Sequence, residues 1–299
     1  DIIEEKVRAI WKDYGAESIA CMIGTGRNNC WQIPYLCYAA FGSPNFCLGF
    51  LSGESCFQPR SAAMASMNGD FLIADMSQQF ESRYDTENTE WVPPEMIVVW
   101  GCNPIASNSD NFYGGWVVDC MQRGSRLITV DPSLTWLAAR SDYWLRLRPG
   151  TDGALALGWM NVIINEELYN KEFVEKWTYG FDQLKEAVQA YTPEKVAEIT
   201  WVPAAKIRAA ARMYATIRPC FMPWGLPTDT IGRNMTQANR AKALLKALVG
   251  VNEMGQTYLA PPNAVRPLAS MEMPDLLPVS QREKQLGADQ FPMHSWPSY

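Results

Sequence analysis

The stretch that decides the fold is MIVVWGCNPIASNSDNFYGGWVVDCMQRGSRLITVDPS, residues 96–133. It contains two apolar, β-branched runs, 96–100 and 126–130, and a polar turn follows each of them. Runs of this kind are typical of strands that are covered on both faces. Between them we predict a helix over about 109–123, closed by Gly124. Strand, helix and strand with short connections is the pattern of a doubly wound parallel sheet.

The pattern extends in both directions from this stretch. Towards the N-terminus, apolar spacing predicts a helix that stops at Gly15, followed by a short strand that enters GTGRNN, residues 24–29. Towards the C-terminus, the loop 148–153 opens a buried helix at 154–166. Further helices are predicted over 171–191, 192–198, 203–217 and 237–249, and the last of them carries Arg240, Lys242 and Lys246.

Composition limits the classes of function. The chain has 299 residues, of which 47% are hydrophobic and 19% charged, as in folded globular proteins, and its length predicts one large or two ordinary domains. A net charge of -6 with scattered basic residues argues against a nucleic-acid partner. The longest apolar stretch, 154–164, is too short to cross a bilayer, which takes about 20 residues.

Cysteine and histidine usage excludes several kinds of site. No two of the eight cysteines have the spacing C-x-x-C, so zinc-ribbon and thioredoxin-like sites are excluded, and a disulfide framework is not expected. With His294 as the only histidine, a Ser-His-Asp or Cys-His site is disfavoured. Cys56 stands alone in SGESCFQPRSAA, residues 52–63. Its own spacing fits a buried thiol, half of a disulfide or the ligand of a non-protein group.

Three polar loops follow predicted strands, and so they fall at the carboxyl edge of the sheet, where such folds bind ligands. In GCNP, residues 101–104, a glycine turn before a helix suits a phosphate but also an ordinary helix cap. Asp131 can accept a hydrogen bond from a ribose or a base, or cap the following turn. Asp152 can bind the ring N–H groups of a guanine, or cap the next helix together with Thr151. Taken together, the three loops favour a nucleotide-like tail across this edge.

Three segments, VVWGCNPIASNSD (98–110), the 61 residues from GSRLITVDPS to WTYGFDQL (124–184) and YTPEKVAEITWVPAAKIRAAARMYA (191–215), carry a resemblance to a known family. They resemble the central region of the molybdopterin oxidoreductases, the dimethyl sulfoxide reductase superfamily, and the likeness covers most of residues 1–260. The resemblance implies molybdenum or tungsten held by two molybdopterin guanine dinucleotides. It implies an enzyme of two-electron redox, oxygen-atom or hydroxyl transfer at the metal, typical of anaerobic respiration and anaerobic dehydrogenases.

The resemblance also implies an α/β architecture of two doubly wound, Rossmann-like domains, one inserted in the other. We place the first, discontinuous and partial, at 1–50 and 251–299, and the inserted one, which binds one guanine dinucleotide, at 51–250. The residues that match the family's phosphate-binding turn are Gly101, Asn103, Pro104 and Ser107. Those that match its ribose- and guanine-binding loops are Asp131, Pro132, Gly150, Thr151 and Asp152. Ser133 stands where many relatives have an arginine, which puts a charge-assisted contact there in doubt.

By the same resemblance, Cys56 falls where the family places the catalytic protein ligand of the metal. The run Cys56-Phe57-Gln58-Pro59 fits the family pattern, whereas Cys47 lacks the following proline and ranks second. A thiolate is a soft anionic ligand that suits these metals beside the dithiolene sulfurs.

The chain begins at Asp1 without an initiator methionine, and the resemblance implies that it is the central part of a longer catalytic subunit. An iron–sulfur cluster is expected before residue 1, and a domain that completes the pterin site is expected after residue 299. The chain alone is therefore expected to be inactive and metal-free. The expected partners are a small-molecule substrate and an electron-transfer subunit, and the location is cytoplasmic or exported through a twin-arginine signal absent from this chain.

Two other classes of protein remain as alternatives. One is a cofactor-less structural module of a respiratory complex, which the retention of Cys56, Asn103, Asp131 and Asp152 disfavours. The other is a nicotinamide enzyme, which the missing G-x-G-x-x-G disfavours.

Overall fold

The computed structural model of the protein describes residues 1–23, 32–48, 58–68, 72–74, 94–107, 113–223, 225–250, 256–258, 273–288 and 290. The chain divides into two compact units, Asp1–Gly53 with Ala260–Tyr299, and Glu54–Leu259. Among the helices in these ranges, none has the length and apolar character that crossing a membrane requires.

The first unit contains a short parallel strand pair. Its elements are α1 (Ile2–Tyr14), β1 (Cys21–Ile23), α2 (Gln32–Tyr35, continued by a π-helical turn over Leu36–Ala40) and β2 (Phe46–Leu48). As predicted, α1 ends before Gly15, whose φ of 85° is a conformation that glycine adopts without steric cost. The strands β1 and β2 pair in parallel. A small core forms around Cys37, Tyr38 and Leu277, and the GTGRNN turn lies outside the described residues.

The second unit is built on a four-stranded parallel sheet. The strands of the whole unit are β3 (Leu72–Ala74), β4 (Met96–Trp100), β5 (Arg126–Val130), β6 (Tyr143–Leu145), β7 (Cys220–Phe221) and β8 (Gln256–Tyr258). The sheet has the order β6-β5-β4-β7, and every neighbouring pair in it is parallel, whereas β3 and β8 form a separate antiparallel pair.

Helices cover both faces of this sheet. The helices of the second unit are α3 (Gln58–Asn68), α4 (Pro104–Ser107), α5 (Tyr113–Gln122), α6 (Asp152–Asn165), α7 (Lys171–Trp177), α8 (Phe181–Ala187), α9 (Pro193–Thr200), α10 (Ala204–Thr216), α11 (Pro227–Thr230) and α12 (Met235–Val249). Alternate residues of β4 enter two different cores, because successive side chains of a strand point to opposite faces. Met96, Val98 and Trp100 pack in a core with α6, α10 and α12, whereas Ile97 and Val99 pack against α5.

The predicted fold class, α/β with a doubly wound parallel sheet, is confirmed by this arrangement. Both strands of the opening stretch form over the predicted residues. The buried helix begins two residues earlier than predicted, at Asp152. The prediction of one helix over 171–191 is wrong, because this segment forms two helices, α7 and α8. Gly180 lies between them, and its left-handed φ of 84° does not continue a right-handed helix.

The strand order locates the topological switch point of the sheet. From β4 the chain moves outward through β5 and β6 and then returns to the other side of β4 to form β7. In open sheets of this kind, ligands bind at the carboxyl ends of the strands, next to such a reversal. Here the turns after β4 and β7 approach each other closely, since a Cβ on Gly225 would collide with the carbonyl group of Gly101.

Candidate functional site

The turn after β4 requires glycine at its first position. Gly101 has a φ of 67°, and a Cβ there would lie 2.5 Å from Cγ2 of Thr228. The Asn103 carbonyl accepts hydrogen bonds from the backbone N–H groups of Ala106 (3.0 Å) and Ser107 (2.9 Å). It also accepts one from the Ser107 hydroxyl at 2.9 Å. Within the described residues the Asn103 side-chain amide has no hydrogen-bond partner, so it is free for a ligand.

The turn after β5 is held by Asp131. Its Oδ1 accepts the Ser133 backbone N–H at 2.8 Å, and its carbonyl accepts the indole Nε1–H of Trp144 at 2.8 Å. Partial burial raises the pKa of the Asp131 carboxyl, and the Ser133 hydrogen bond opposes that shift. The local capping contact is therefore present, while a contact of Asp131 with ribose stays a prediction.

The carboxylate of Asp152 lies at the start of α6 and points into the protein. Only 7% of the residue is exposed, and Oδ1 accepts the indole Nε1–H of Trp100 at 2.7 Å. Burial raises the pKa of Asp152, whereas Trp100 and the nearby Lys242 ammonium lower it. Thr151 does not cap the helix with its side chain, because its hydroxyl donates to the Arg148 carbonyl at 2.6 Å.

Next to Asp152 lies a charged group that sequence reasoning missed. Asp229 is fully buried, and it binds Arg60 through both carboxylate oxygens: the Arg60 backbone N–H donates to Oδ1 at 3.0 Å and Nε donates to Oδ2 at 2.6 Å. The Asn239 amide also donates to Oδ1 at 3.0 Å. Burial raises the pKa of Asp229, and Arg60 opposes the shift. This pair fixes the first turn of α3 against α11 and α12.

Lys242 of α12 is the fully buried cation of the same group. Its Nζ lies 3.5 Å from Oγ1 of Thr228 and 5.4 Å from the centre of the Trp100 ring. Burial lowers the pKa of Lys242 to about 8, while the Asp152 carboxylate acts in the opposite direction. We call the connected residues the buried cluster: Arg60, Trp100, Asp152, Thr228, Asp229, Asn239 and Lys242.

A cavity of about 470 Å³ lies at the carboxyl edge beside β5 and β6. We call it the edge cavity, and its lining residues are Pro132, Trp144, Arg146, Leu147, Pro149, Trp201, Pro203 and Lys206. Pro132 of the turn after β5 and Pro149 of the loop 148–153 both line it, while a ligand shared by the two loops stays a prediction. Indole rings and cations together suit a ligand with an aromatic ring and an anionic group.

A second, open cavity of about 550 Å³ lies between α6, α12, Tyr191 and Ile199 near the end of α9. We call it the helix groove. Gly150 and Thr151 line the helix groove, whereas Pro149 lines the edge cavity. The loop predicted to hold one guanine therefore borders two cavities.

Three arginines of the second unit that have no side-chain partner among the described residues line these two cavities. Within the described residues, Arg146, Arg233 and Arg240 have no hydrogen-bond, ion-pair or aromatic-ring partner. Arg146 lines the edge cavity, and the other two line the helix groove. By contrast, Arg126 pairs with Asp142 and Arg212 with Glu166. An arginine without a partner at a cavity wall is available to an anionic ligand.

The predicted metal ligand, Cys56, lies outside the described residues. Of Cys47 the structure describes only the backbone, in β2. The first described residue after Cys56 is Gln58, at the start of α3, and Pro59 is buried. The ligand assignment therefore stays a prediction.

Comparisons with known proteins agree on one family. The sequence profile described as Molybdopterin oxidoreductase matches residues 1–276. The acetylene hydratase of Syntrophotalea acetylenica is 46% identical over 173 residues, which are 58% of this chain and 24% of that enzyme. The probable dimethyl sulfoxide reductase chain YnfF of Escherichia coli (strain K12) is 31% identical over 286 residues, 84% of this chain and 33% of that protein.

The fold has a counterpart among solved structures. The acetylene hydratase from Pelobacter acetylenicus superposes with a TM-score of 0.70 at 33% sequence identity. The match covers 97% of this chain and 38% of that enzyme. The chain thus spans about a quarter to two fifths of the length of these relatives.

Proposed function

The chain belongs to the molybdopterin oxidoreductase family, and from this membership we propose that it forms the central part of a molybdenum or tungsten enzyme. The second unit then corresponds to the inserted domain, placed at 51–250, and binds one guanine dinucleotide of a bis-(molybdopterin guanine dinucleotide) cofactor. The cofactor supplies the metal centre at which two-electron redox, oxygen-atom or hydroxyl transfer takes place. A small-molecule substrate, an electron-transfer subunit and an iron–sulfur cluster of the complete enzyme belong to the same proposal.

The edge cavity is the observation that carries this proposal. Its lining combines two cations, Arg146 and Lys206, with two indole rings, Trp144 and Trp201. A guanosine diphosphate tail needs both, since phosphates bind guanidinium and ammonium groups, and bases stack on aromatic faces. The charge and the aromatic side chains of these residues support binding of the dinucleotide end of the cofactor here.

The neighbouring turns have defined tasks in this proposal. The free amide of Asn103 and the turn of Gly101 and Pro104 face the phosphates, with Ser107 beside them. Asp131 and Pro132 lie against the ribose.

Gly150 and Thr151 let the loop backbone approach the base, and Asp152 accepts its N–H groups. The indole of Trp100 orients that carboxylate through the 2.7 Å hydrogen bond. We propose Cys56 as the protein ligand of the metal, with Cys47 second. Replacement of Cys56 by serine is then expected to change the metal-edge spectrum of the loaded protein.

A cofactor-less structural module is disfavoured by the same cavity. Such a module has no chemical need for an unpaired arginine beside a lysine and two tryptophans.

Calorimetric titration with GDP tests the proposal on the chain itself. We expect binding to the wild-type protein and about tenfold weaker binding to Arg146→Gln, because a charge-assisted hydrogen bond contributes roughly 1.5–3 kcal/mol. Arg233→Gln is the matched control, since it removes an equally unpaired arginine from the helix groove. The proposal is wrong for this cavity if GDP does not bind, or if Arg233→Gln weakens binding as much as Arg146→Gln does.

A further inference from the structure

The helix groove lies on the other side of the loop at Gly150 and Thr151 from the edge cavity's Pro149, and most of its lining residues have no task in the proposed cofactor site. Its volume of about 550 Å³ lies in the range of small-molecule sites. Two faces of it come from long helices: Ala154 and Leu157 of α6, and Ala241 and Leu244 of α12. These helices pack directly against each other, and loop residues, among them Gly150, Thr151 and Arg233, complete the groove.

Most of the uncharged side chains that line the groove are apolar, and we call these the floor, whereas Thr151, Asn234 and Gln237 are polar. Besides the alanines and leucines of the two helices, the floor contains Tyr191 and Ile199. A nucleobase would have to leave its polar edge against this surface, at a cost for each hydrogen bond that is not replaced. An aliphatic chain or a hydrocarbon ring loses no hydrogen bond there and gains about 25 cal/mol for each Å² of apolar surface that it buries.

The rim of the groove is cationic. Arg233 precedes α12, and Arg240 lies in its second turn, and the described residues provide no partner for either guanidinium. No acidic side chain is among the described residues that line the groove. Asp152, the nearest acid in sequence, is directed to Trp100 instead. The described residues that line the groove thus carry a net positive charge.

From these observations we propose that the helix groove binds an organic acid, with an apolar body on the floor and its carboxylate on Arg233 and Arg240. Guanidinium groups bind carboxylates through two parallel hydrogen bonds, and two of them side by side favour an anion over a neutral isostere. The arginines and apolar residues of this site are absent from the edge cavity, and the two proposed sites have in common only the loop residues Gly150 and Thr151.

The test uses 2-naphthoate and its neutral isostere 2-naphthamide as probes. By calorimetry at low ionic strength, the wild-type chain is expected to bind the carboxylate at least tenfold more tightly than the amide. Arg233→Gln and Arg240→Gln are each expected to weaken carboxylate binding about tenfold and to leave amide binding unchanged. Both arginines are exposed and unpaired, so unchanged unfolding midpoints will show that the variants fold.

Arg146→Gln is the control, and it is expected to bind 2-naphthoate like the wild type. Equal binding of acid and amide would overturn the proposal, as would no binding of either. If Arg146→Gln loses 2-naphthoate binding and the groove variants keep it, the acid binds in the edge cavity and the proposal is wrong. Because GDP binding is measured separately, failure here leaves the dinucleotide proposal standing, and failure of GDP binding leaves this one standing.

Discussion

The buried cluster and the edge cavity both lie near the carboxyl ends of the strands, and both contain charged side chains. In the buried cluster, Asp229 is bound by Arg60, and Asp152 by Trp100. In the edge cavity, Arg146 has no partner among the described residues. The difference follows from solvation, since a charge removed from water must be paired, whereas a charge at a cavity wall is still hydrated.

At this edge of the sheet, we therefore expect the buried cluster to stabilise the fold and the edge cavity to bind a ligand. The buried cluster ties α3, α11 and α12 to the end of β4, so the loss of one member is expected to reduce stability. The edge cavity contributes little to stability, so the loss of its arginine is expected to affect ligand binding alone. Three substitutions test this division.

The largest effect is expected for Asp229→Ala. It leaves the guanidinium of Arg60, whose side chain is 13% exposed, without its anion. Breaking a buried pair in this way costs about 3–5 kcal/mol of unfolding free energy. Urea denaturation measures the loss. Glu198→Gln is the control, because its ion pair with Lys195 is exposed and contributes about 0.5 kcal/mol or less. Equal stability of the two variants would contradict the division.

A smaller effect is expected from the titration of Lys242. Its pKa is about 8 in the folded protein, against about 10.4 for an unperturbed lysine. Between these two values the unfolded chain binds the extra proton, so this residue makes the protein more stable as the pH rises. Over that range the wild type should gain about 3 kcal/mol relative to Lys242→Met.

Urea denaturation at several pH values between 7.5 and 10.5 follows this gain. The difference between wild type and variant removes the contributions of other groups, such as Tyr113 and Cys102, whose pKa values are raised by burial. Lys195→Met, at an exposed position, is not expected to reproduce the trend. A constant difference between wild type and Lys242→Met would show that Lys242 is not held in a desolvating site.

The smallest effect on stability is expected for Arg146→Gln, at about 0.5 kcal/mol or less, because its guanidinium has no hydrogen bond or ion pair with the described residues. The same variant should lose most of its affinity for GDP. A loss of several kcal/mol of unfolding free energy would place Arg146 with the structural residues instead.

Local patterns were sufficient to predict the strands and most helices. The apolar runs of β4 and β5 and the glycine stop after α1 act over a few residues, so the sequence reveals them directly. The break at Gly180 was missed because apolar spacing continues across it. Asp229 was missed for a different reason: its partner Arg60 is 169 residues away in sequence, and neither residue has a local signal of pairing.

One signal for the buried cluster was present in the sequence. Lys242 has the spacing of the core-facing side of α12, together with Met235, Ala238 and Leu245, whereas Arg240 lies off that side and is exposed. A cation on an apolar helix face predicts a buried partner. Arg146 and Lys206 gave no such signal, because an unpaired surface cation and a ligand-binding cation look the same in sequence.

The most direct test of the account is whether GDP covers the edge cavity. Lys206 is exposed at its wall, so its reaction with an amine-acylating reagent can be followed by peptide mass spectrometry, with Lys195 as an internal reference. The account predicts that saturating GDP slows the acylation of Lys206 at least fivefold and leaves Lys195 unchanged. An unchanged rate at Lys206, measured while calorimetry shows GDP bound, would contradict the claim that the edge cavity holds the guanine dinucleotide.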